Sequence, residues 1–205
     1  MPRANLSTPA VIAAGADFAD RRGFEELTVS ALARELGVRP ASLYSHVRDL
    51  EALLRGVQGL AMAELGEAVT AAVEGKQGRA ALAAHLDTHR DFAVAHPGRW
   101  RAVGRPVGEI GPEGPGPARL GAALEGILAD YGIVGDEAVH ASRFIAATLR
   151  GFLAADNITV FRYRVPTVEE SWQRMVDALD RTLRVWPRSD AQAEGAARPG
   201  APDAA

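Results

Sequence analysis

The sequence predicts an all-α protein: a three-helix N-terminal domain of helix-turn-helix layout, followed by a helical bundle that dimerises. Three observations carry this expectation. Apolar residues recur three and four positions apart in one segment after another. Ser, Thr, Asp or Pro stands where these segments begin, and Gly stands where several of them end. No segment shows the strict alternation of a half-buried strand, and no internal repeat is visible.

Residues 1–7 read as a short arm carrying one charge, Arg3. Thr8 is placed to cap the first helix with Pro9 at its first helical position, and Val11, Ile12, Gly15, Phe18 and Ala19 form its apolar face. Gly23 stops it, and Phe24 and Leu27 follow as apolar anchors. Thr28 caps a second helix from Val29 to Leu36, which buries Ala31, Leu32, Ala33 and Leu36. Gly37 ends that helix, because glycine takes a positive φ without steric penalty. Pro40 sits just inside a third helix that ends near His46 or Val47, and Asp49 caps a longer fourth helix running through Leu53, Val57, Leu60, Leu65 and Val69.

Gly75 and Gly78 interrupt the pattern before a fifth helix, about Arg79 to Ala95. His96-Pro97-Gly98 reads as a turn and Trp100 to Val103 as a short helix. Residues 104–117 are crowded with Gly and Pro and read as a loop. No strand precedes it and no Lys-Ser or Lys-Thr pair follows it, so it is not a phosphate cradle. Helices resume at Ala118–Tyr131 and at about Asp136–Ala155, and Thr167 caps a last helix to Val185. The expected organisation is a small domain over 1–55, a larger one over 56–186, and a disordered tail over 187–205.

Hydrophobic residues make up 47% of the 205 residues, enough for a substantial core, and the net charge of -3 argues against a non-specific nucleic-acid coat. The absence of cysteine excludes disulfides, thiolate catalysis and Cys-ligated metal clusters. No signal pattern and no membrane-length apolar run is present, so the chain reads as cytoplasmic with no membrane partner.

Residues 28–47, TVSALARELGVRPASLYSHV, hold two short helices joined by a tight Gly turn, the layout with which such motifs enter the major groove. Ala33 allows the two helices to approach, and Val38 and Leu43 tuck inward. Arg39, Pro40, Ala41, Ser42, Ser45 and His46 are left near the outer side. Thr28, Ser42, Tyr44, His46 and Arg48 can donate to phosphate oxygens, Arg39 can reach guanine, and Ala41 or Ser45 can touch a base edge or a thymine methyl. Any short helix after a Gly turn also exposes a few polar residues, so layout alone leaves a non-binding reading open.

The segment from about Thr8 to Leu54 resembles the TetR-type DNA-binding domain in Gly23-Phe24, Leu27-Thr28-Val29, Leu32-Ala33, Leu36-Gly37-Val38, Ser42-Leu43-Tyr44, His46-Val47 and Leu53-Leu54. The resemblance implies phosphate contacts from Thr28, Ser42, Tyr44 and His46, and base contacts from residues around Arg39 to Ser45. It departs at Leu50, where the family often has Lys; Arg48 is the candidate replacement. Seven arginines (3, 21, 22, 34, 39, 48, 55) face seven acids (17, 20, 25, 26, 35, 49, 51) in residues 1–56. Specific binding should therefore need two copies on a pseudo-palindromic DNA operator.

The helix over Asp136–Ala155 is apolar almost all round, and the last helix carries apolar residues at helical spacing. A four-helix interface between two copies would absorb both, with Val139, Leu149, Phe152, Trp172, Met175, Leu179 and Leu183 as its residues; a plain monomeric core is the alternative. His96-Pro97-Gly98, Leu149-Arg150-Gly151-Phe152 and Val168-Glu169-Glu170-Ser171-Trp172 resemble the C-terminal domain of a TetR subgroup, with Arg150 where that subgroup often has His. The resemblance implies a pocket for a small, mostly hydrophobic effector, with His89, Phe92, Trp100, Phe144, Thr148 and Phe152 as candidate lining or simply as core.

His85 and His89 stand four apart on one helix, as metal ligands can, but Leu86 occupies the place where a metalloprotease helix has Glu, and no third ligand is evident. No nucleophile elbow is present, so neither catalysis nor a cofactor is expected. The function expected is that of a repressor released by a ligand. The alternatives are an interaction protein of the same fold that no longer reads DNA, and a metal-dependent enzyme.

Overall fold

The computed structural model describes residues 6–106, 115–156 and 165–187, which form nine α-helices and one short 3-10 turn, with no strand among the described residues. The helices are α1 (Thr8–Arg22), α2 (Val29–Glu35), α3 (Pro40–Tyr44), α4 (Leu50–Val73), α5 (Gly78–Ala95), α6 (Pro97–Val103), α7 (Pro115–Asp130), α8 (Asp136–Asp156) and α9 (Val168–Arg184); the 3-10 turn, Phe24–Glu26, joins α1 to α2. The expected tail beyond Pro187 lies outside the described residues, as does most of the Gly- and Pro-rich loop. Where that stretch is described again, α7 already begins at Pro115, three residues before Ala118. The chain packs into two compact units, one drawn from Met1–Glu74 and Ala84–Ala123, the other from Gly75–Ala83 and Leu124–Ala205.

In the first unit, Val11, Ala16 and Phe18 of α1 meet Leu32 and Ala33 of α2, Leu43 of α3 and Leu53 and Val57 of α4 in one buried cluster. Thr28 caps α2 by accepting from the Ala31 N–H at 3.1 Å, and Asp49 caps α4 by accepting from Ala52 at 2.7 Å. The cap of α1 differs from expectation. Ser7, not Thr8, is the N-cap and accepts from Ala10 N–H at 3.3 Å. Adjacent hydroxyls compete for one capping position, and Thr8 uses its own hydroxyl elsewhere, donating to the His46 carbonyl at 2.9 Å.

His96-Pro97-Gly98 is not a turn. Pro97 opens α6, a position where its missing N–H costs nothing. Gly98 is buried inside that helix, where a Cβ would stand 2.1 Å from the Ala19 carbonyl carbon. The glycine serves a close helix crossing, not a local bend. A second cluster in this unit gathers Ala61, Leu65 and Val69 of α4, Phe92 of α5 and Val103 of α6, with Trp100 packed against it.

In the second unit, α8 and α9 bury Ile145, Leu149, Leu153, Trp172, Val176, Leu179 and Leu183. Thr167 and Glu170 form a reciprocal capping box at the start of α9. The Tyr131 hydroxyl donates to Asp180 at 2.7 Å, and burial with that carboxylate pushes its phenol pKa up. Arg184 donates to the same carboxylate at 3.0 Å, and Arg79 reaches Asp177 at 2.6 Å.

Candidate nucleic-acid interface

Gly37, at φ +67°, turns the chain out of α2, and the Val38 N–H returns to the Ala33 carbonyl at 3.0 Å. This closes α2 and α3 into one bihelical unit. Leu43 is fully buried and Val47 nearly so, which anchors α3 by its inner side. Arg39, Pro40, Ala41, Ser42, Tyr44 and Ser45 are exposed, Tyr44 by 53%; His46 is half-buried. Thr28 is exposed at the start of α2. Arg39 occupies the N-cap position of α3 with no side-chain capping bond.

The helix itself is shorter than the sequence suggests, ending at Tyr44, and His46 is held by its backbone. Arg48 is exposed and gives its Nε hydrogen bond to Asp49 at 2.8 Å. The Ala52 N–H and the Arg48 guanidinium hold the Asp49 carboxyl below the usual range. Part of the Arg48 charge is thus answered within the protein. Arg34, exposed on α2, adds a cation that the sequence reading did not single out.

The pocket candidates fall in different units. His89, Phe92 and Trp100 belong to the first; the His89 ring stands edge-on to Trp100 at 6.1 Å. His89 donates from Nδ1 to the His85 carbonyl at 2.8 Å, and the two imidazoles lie 4.4 Å apart. Both are buried, and desolvation together with His89 pushes the His85 pKa down to about 3. Among the described residues His85 Nδ1 has no hydrogen-bond partner, and no group of three or more His, Asp or Glu is gathered to hold a metal. Phe144, Thr148 and Phe152 belong to the second unit. Phe144 lies 5.7 Å from Trp186, Phe152 lies 5.2 Å from Trp172, and the Thr148 hydroxyl donates back to its own helix at Phe144 O, 2.8 Å.

Among the interface candidates, Leu149, Trp172, Leu179 and Leu183 are buried within the single subunit. Phe152 and Met175 are half-buried, and Val139 is exposed by 48%. The outer faces carry His140, Arg143, Ala147, Arg150, Gly151 and Ala154 on α8, and Ser171, Arg174, Ala178 and Arg181 on α9, all exposed.

A Gly-turned helix pair seated on a three-helix core, with a polar outer row on its second member, defines a helix-turn-helix DNA-binding protein. Residues 11–57 match the sequence model of the bacterial regulatory proteins of the tetR family, and residues 82–179 match that of the tetracyclin repressor-like C-terminal domain. The HTH-type transcriptional regulator Rv0681 of Mycobacterium tuberculosis is 33% identical over 152 residues, covering 73% of this chain and 70% of that protein. YobS, an HTH-type transcriptional regulator of Bacillus subtilis, is 26% identical over 152 residues, covering 74% and 79%. Among solved structures, a variant of TetR of Acinetobacter baumannii AYE in complex with minocycline superposes with a TM-score of 0.67 at 22% identity, covering 90% of this chain and all of that one. A protein of unknown function from Rhodococcus sp. RHA1 gives a TM-score of 0.70 at 22% identity, covering 90% and 99%. The chain belongs to the TetR family: it is a helix-turn-helix transcriptional regulator that binds DNA. No helix of the described residues is long and apolar enough to cross a membrane.

Proposed function

We propose that the protein is a repressor that binds a pseudo-palindromic operator as a homodimer and is released by a small, mostly hydrophobic effector. Residues 1–55 read the DNA, and residues 56–186 bind the effector and dimerise. The observation that carries this reading is the α3 surface, where every residue from Arg39 to Ser45 except the anchoring Leu43 is exposed. Such a row can meet a groove without any rearrangement of the domain, and its members divide by chemistry. Thr28, Ser42, Tyr44, His46 and Arg48 supply phosphate donors, while Arg39, Pro40, Ala41 and Ser45 lie toward base edges.

The dimer uses the outer faces of α8 and α9. Ala147, Gly151 and Ala154 follow one another at spacings of four and three, which lets a partner helix approach closely. His89, Phe92 and Trp100, gathered in one aromatic and imidazole cluster, favour a small effector with an apolar body. The minocycline complex of the Acinetobacter protein is consistent with that size class.

Selection from a random duplex library at moderate salt tests the reading. An enriched sequence with two inverted half-sites is expected, and a reporter placed behind it should fall when the protein is expressed. Enrichment of no sequence would turn the protein into an interaction module. A reporter that rises would make it an activator.

A further inference from the structure

The most heavily charged buried point of the first unit lies where α6 meets α1 and α4. Arg99, exposed by only 8%, faces three carboxylates. One guanidinium nitrogen donates to Asp20 and a second to Asp17 at 2.8 Å, while Nε stands 2.9 Å from Glu64 as an ion pair without hydrogen-bond alignment. The backbone N–H of Arg99 donates to the other oxygen of Asp20 at 2.8 Å, and His96 Nδ1 reaches that carboxylate at 3.2 Å. Burial opposes the charge on Arg99, but the hydrogen bonds of Asp17 and Asp20 and the charge of Glu64 outweigh it and raise its pKa.

Adhesion alone does not explain this arrangement. An apolar residue of similar volume holds two helices together as well as a buried ion pair, because both partners of the pair must give up water. Here one cation answers three acids, so the cluster keeps an excess of negative charge. What a planar guanidinium adds is direction: its fork fixes the angle and register of the groups it joins. Asp17 and Asp20 stand on α1 and Glu64 on α4, and Gly98 presses α6 onto the backbone of Ala19 and Asp20. The same two helices share a core with α3, which packs chiefly against α2. Leu43 lies in a core shared with Val11 of α1 and Leu53 of α4, and the Thr8 hydroxyl holds the carbonyl of His46.

We propose that Arg99 is a positioning residue for DNA reading: its fork on Asp17 and Asp20 fixes the angle of α1 against α6, its ion pair with Glu64 draws α4 to the same point, and together they set the angle at which α3 is presented. It touches no DNA. Asp20 is its principal partner, since it takes the guanidinium, the backbone N–H and His96 together, and it is the least exposed of the three carboxylates.

The test uses the full chain and the duplex that the unmutated protein enriches. Arg99→Met keeps the bulk and removes the charge; Arg99→Lys keeps the charge and removes the fork; Asp20→Asn removes the principal partner. Each is expected to bind the enriched duplex about tenfold more weakly, the scale of a single mismatched base pair. The order of base preference should persist, because the α3 side chains are intact. Duplexes with one base pair added or removed between half-sites should lose less affinity than they do with the unmutated protein.

Arg101→Met is the control. Arg101 also joins α6 to an acid, Glu25, but in the open at 71% side-chain exposure, and its loss should leave affinity and spacing preference unchanged. A purely structural role would lower the melting temperature and the active fraction without broadening the spacing profile. Should Arg99→Met fail to fold, Arg99→Lys and Asp20→Asn carry the decision. Unmutated affinity and an unmutated spacing profile in every folded variant would overturn the proposal.

Discussion

The hydroxyl of Thr8, in the first turn of α1, donates to the carbonyl of His46, just past the end of α3, at 2.9 Å and across 38 residues of sequence. It gives a partner to a carbonyl that lies just outside the helix ladder. It also ties the recognition element to the helix that begins the domain.

Thr8→Val keeps the shape of that side chain and removes the donor. The bond is exposed, so the expected loss of stability is small, about 0.5–1.5 kcal/mol. Affinity for the enriched duplex should fall by more than the change in folded fraction explains, because the end of α3 is freed. Thermal melts set beside fluorescence anisotropy separate the two. An affinity that merely follows stability would remove the tie from the reading of DNA.

Gly98→Ala asks more of the structure. The added methyl would stand 2.1 Å from backbone carbon and 2.3 Å from backbone oxygen of Ala19, and no side chain can swing aside. Overpacking of this kind costs about 1–3 kcal/mol or more, and calorimetry should show a clear fall in melting temperature. An unchanged melt would mean that α6 does not press on α1 as described.

The contrast between these positions shows what the sequence conveyed. Caps and turn glycines act within a few residues, so Thr28, Asp49, Thr167 and Gly37 were legible where they stand. Gly98 was not. Its partner Ala19 lies far back in the chain, and beside Pro97 it looks like a local turn. Arg99 was missed for a related reason, since a charged residue in a short helix reads as surface until its three acids are seen to converge. The apolar stripe of α9 was legible as a stripe, but periodicity cannot say whether it faces its own subunit or a second copy. Leu179 and Leu183 face their own.

Folding and dimerisation should therefore separate by mutation. Trp172 is fully buried against Phe152 and the α8 side of the unit, so Trp172→Ala should destabilise the subunit by about 3–5 kcal/mol. Ala147→Glu, on the outer face of α8, should instead leave the circular dichroism spectrum intact and shift the mass seen by light scattering toward the monomer. A dimer that survives Ala147→Glu unchanged would exclude that face.

His85 gives the protein a defined response to acid. Its pKa is about 3 in the folded chain against an ordinary 6.5. Above pH 6.5 the group is neutral in both states and its contribution is constant. Between 6.5 and about 3 the unfolded chain binds a proton that the folded chain refuses, so stability falls by about 1.4 kcal/mol for each pH unit from this group. Below about 3 both states are protonated and this dependence ends. Urea denaturation across that range should show the slope, and His85→Phe should remove about one proton from it. Equal slopes in the two proteins would show that His85 gains a proton while folded.

Arg39 and Tyr44 stand at the two ends of α3 and should fail differently on DNA. Both are exposed, and neither spends its side chain on capping the helix. Tyr44 carries one hydroxyl on a rigid ring, suited to a phosphate oxygen, so Tyr44→Phe should weaken binding to every duplex by a similar factor. Arg39 carries a planar fork at the N-cap of α3, and a fork matches the paired acceptors of guanine. Arg39→Ala should then cost about 1–3 kcal/mol per half-site and relax the preference at one base position, while Tyr44→Phe leaves every preference in order. Repeating the duplex selection on both variants decides between base and backbone. If Arg39→Ala keeps the full preference and only flattens the dependence of affinity on salt, its guanidinium meets phosphate, because a lost phosphate contact lowers the number of counterions released without touching specificity.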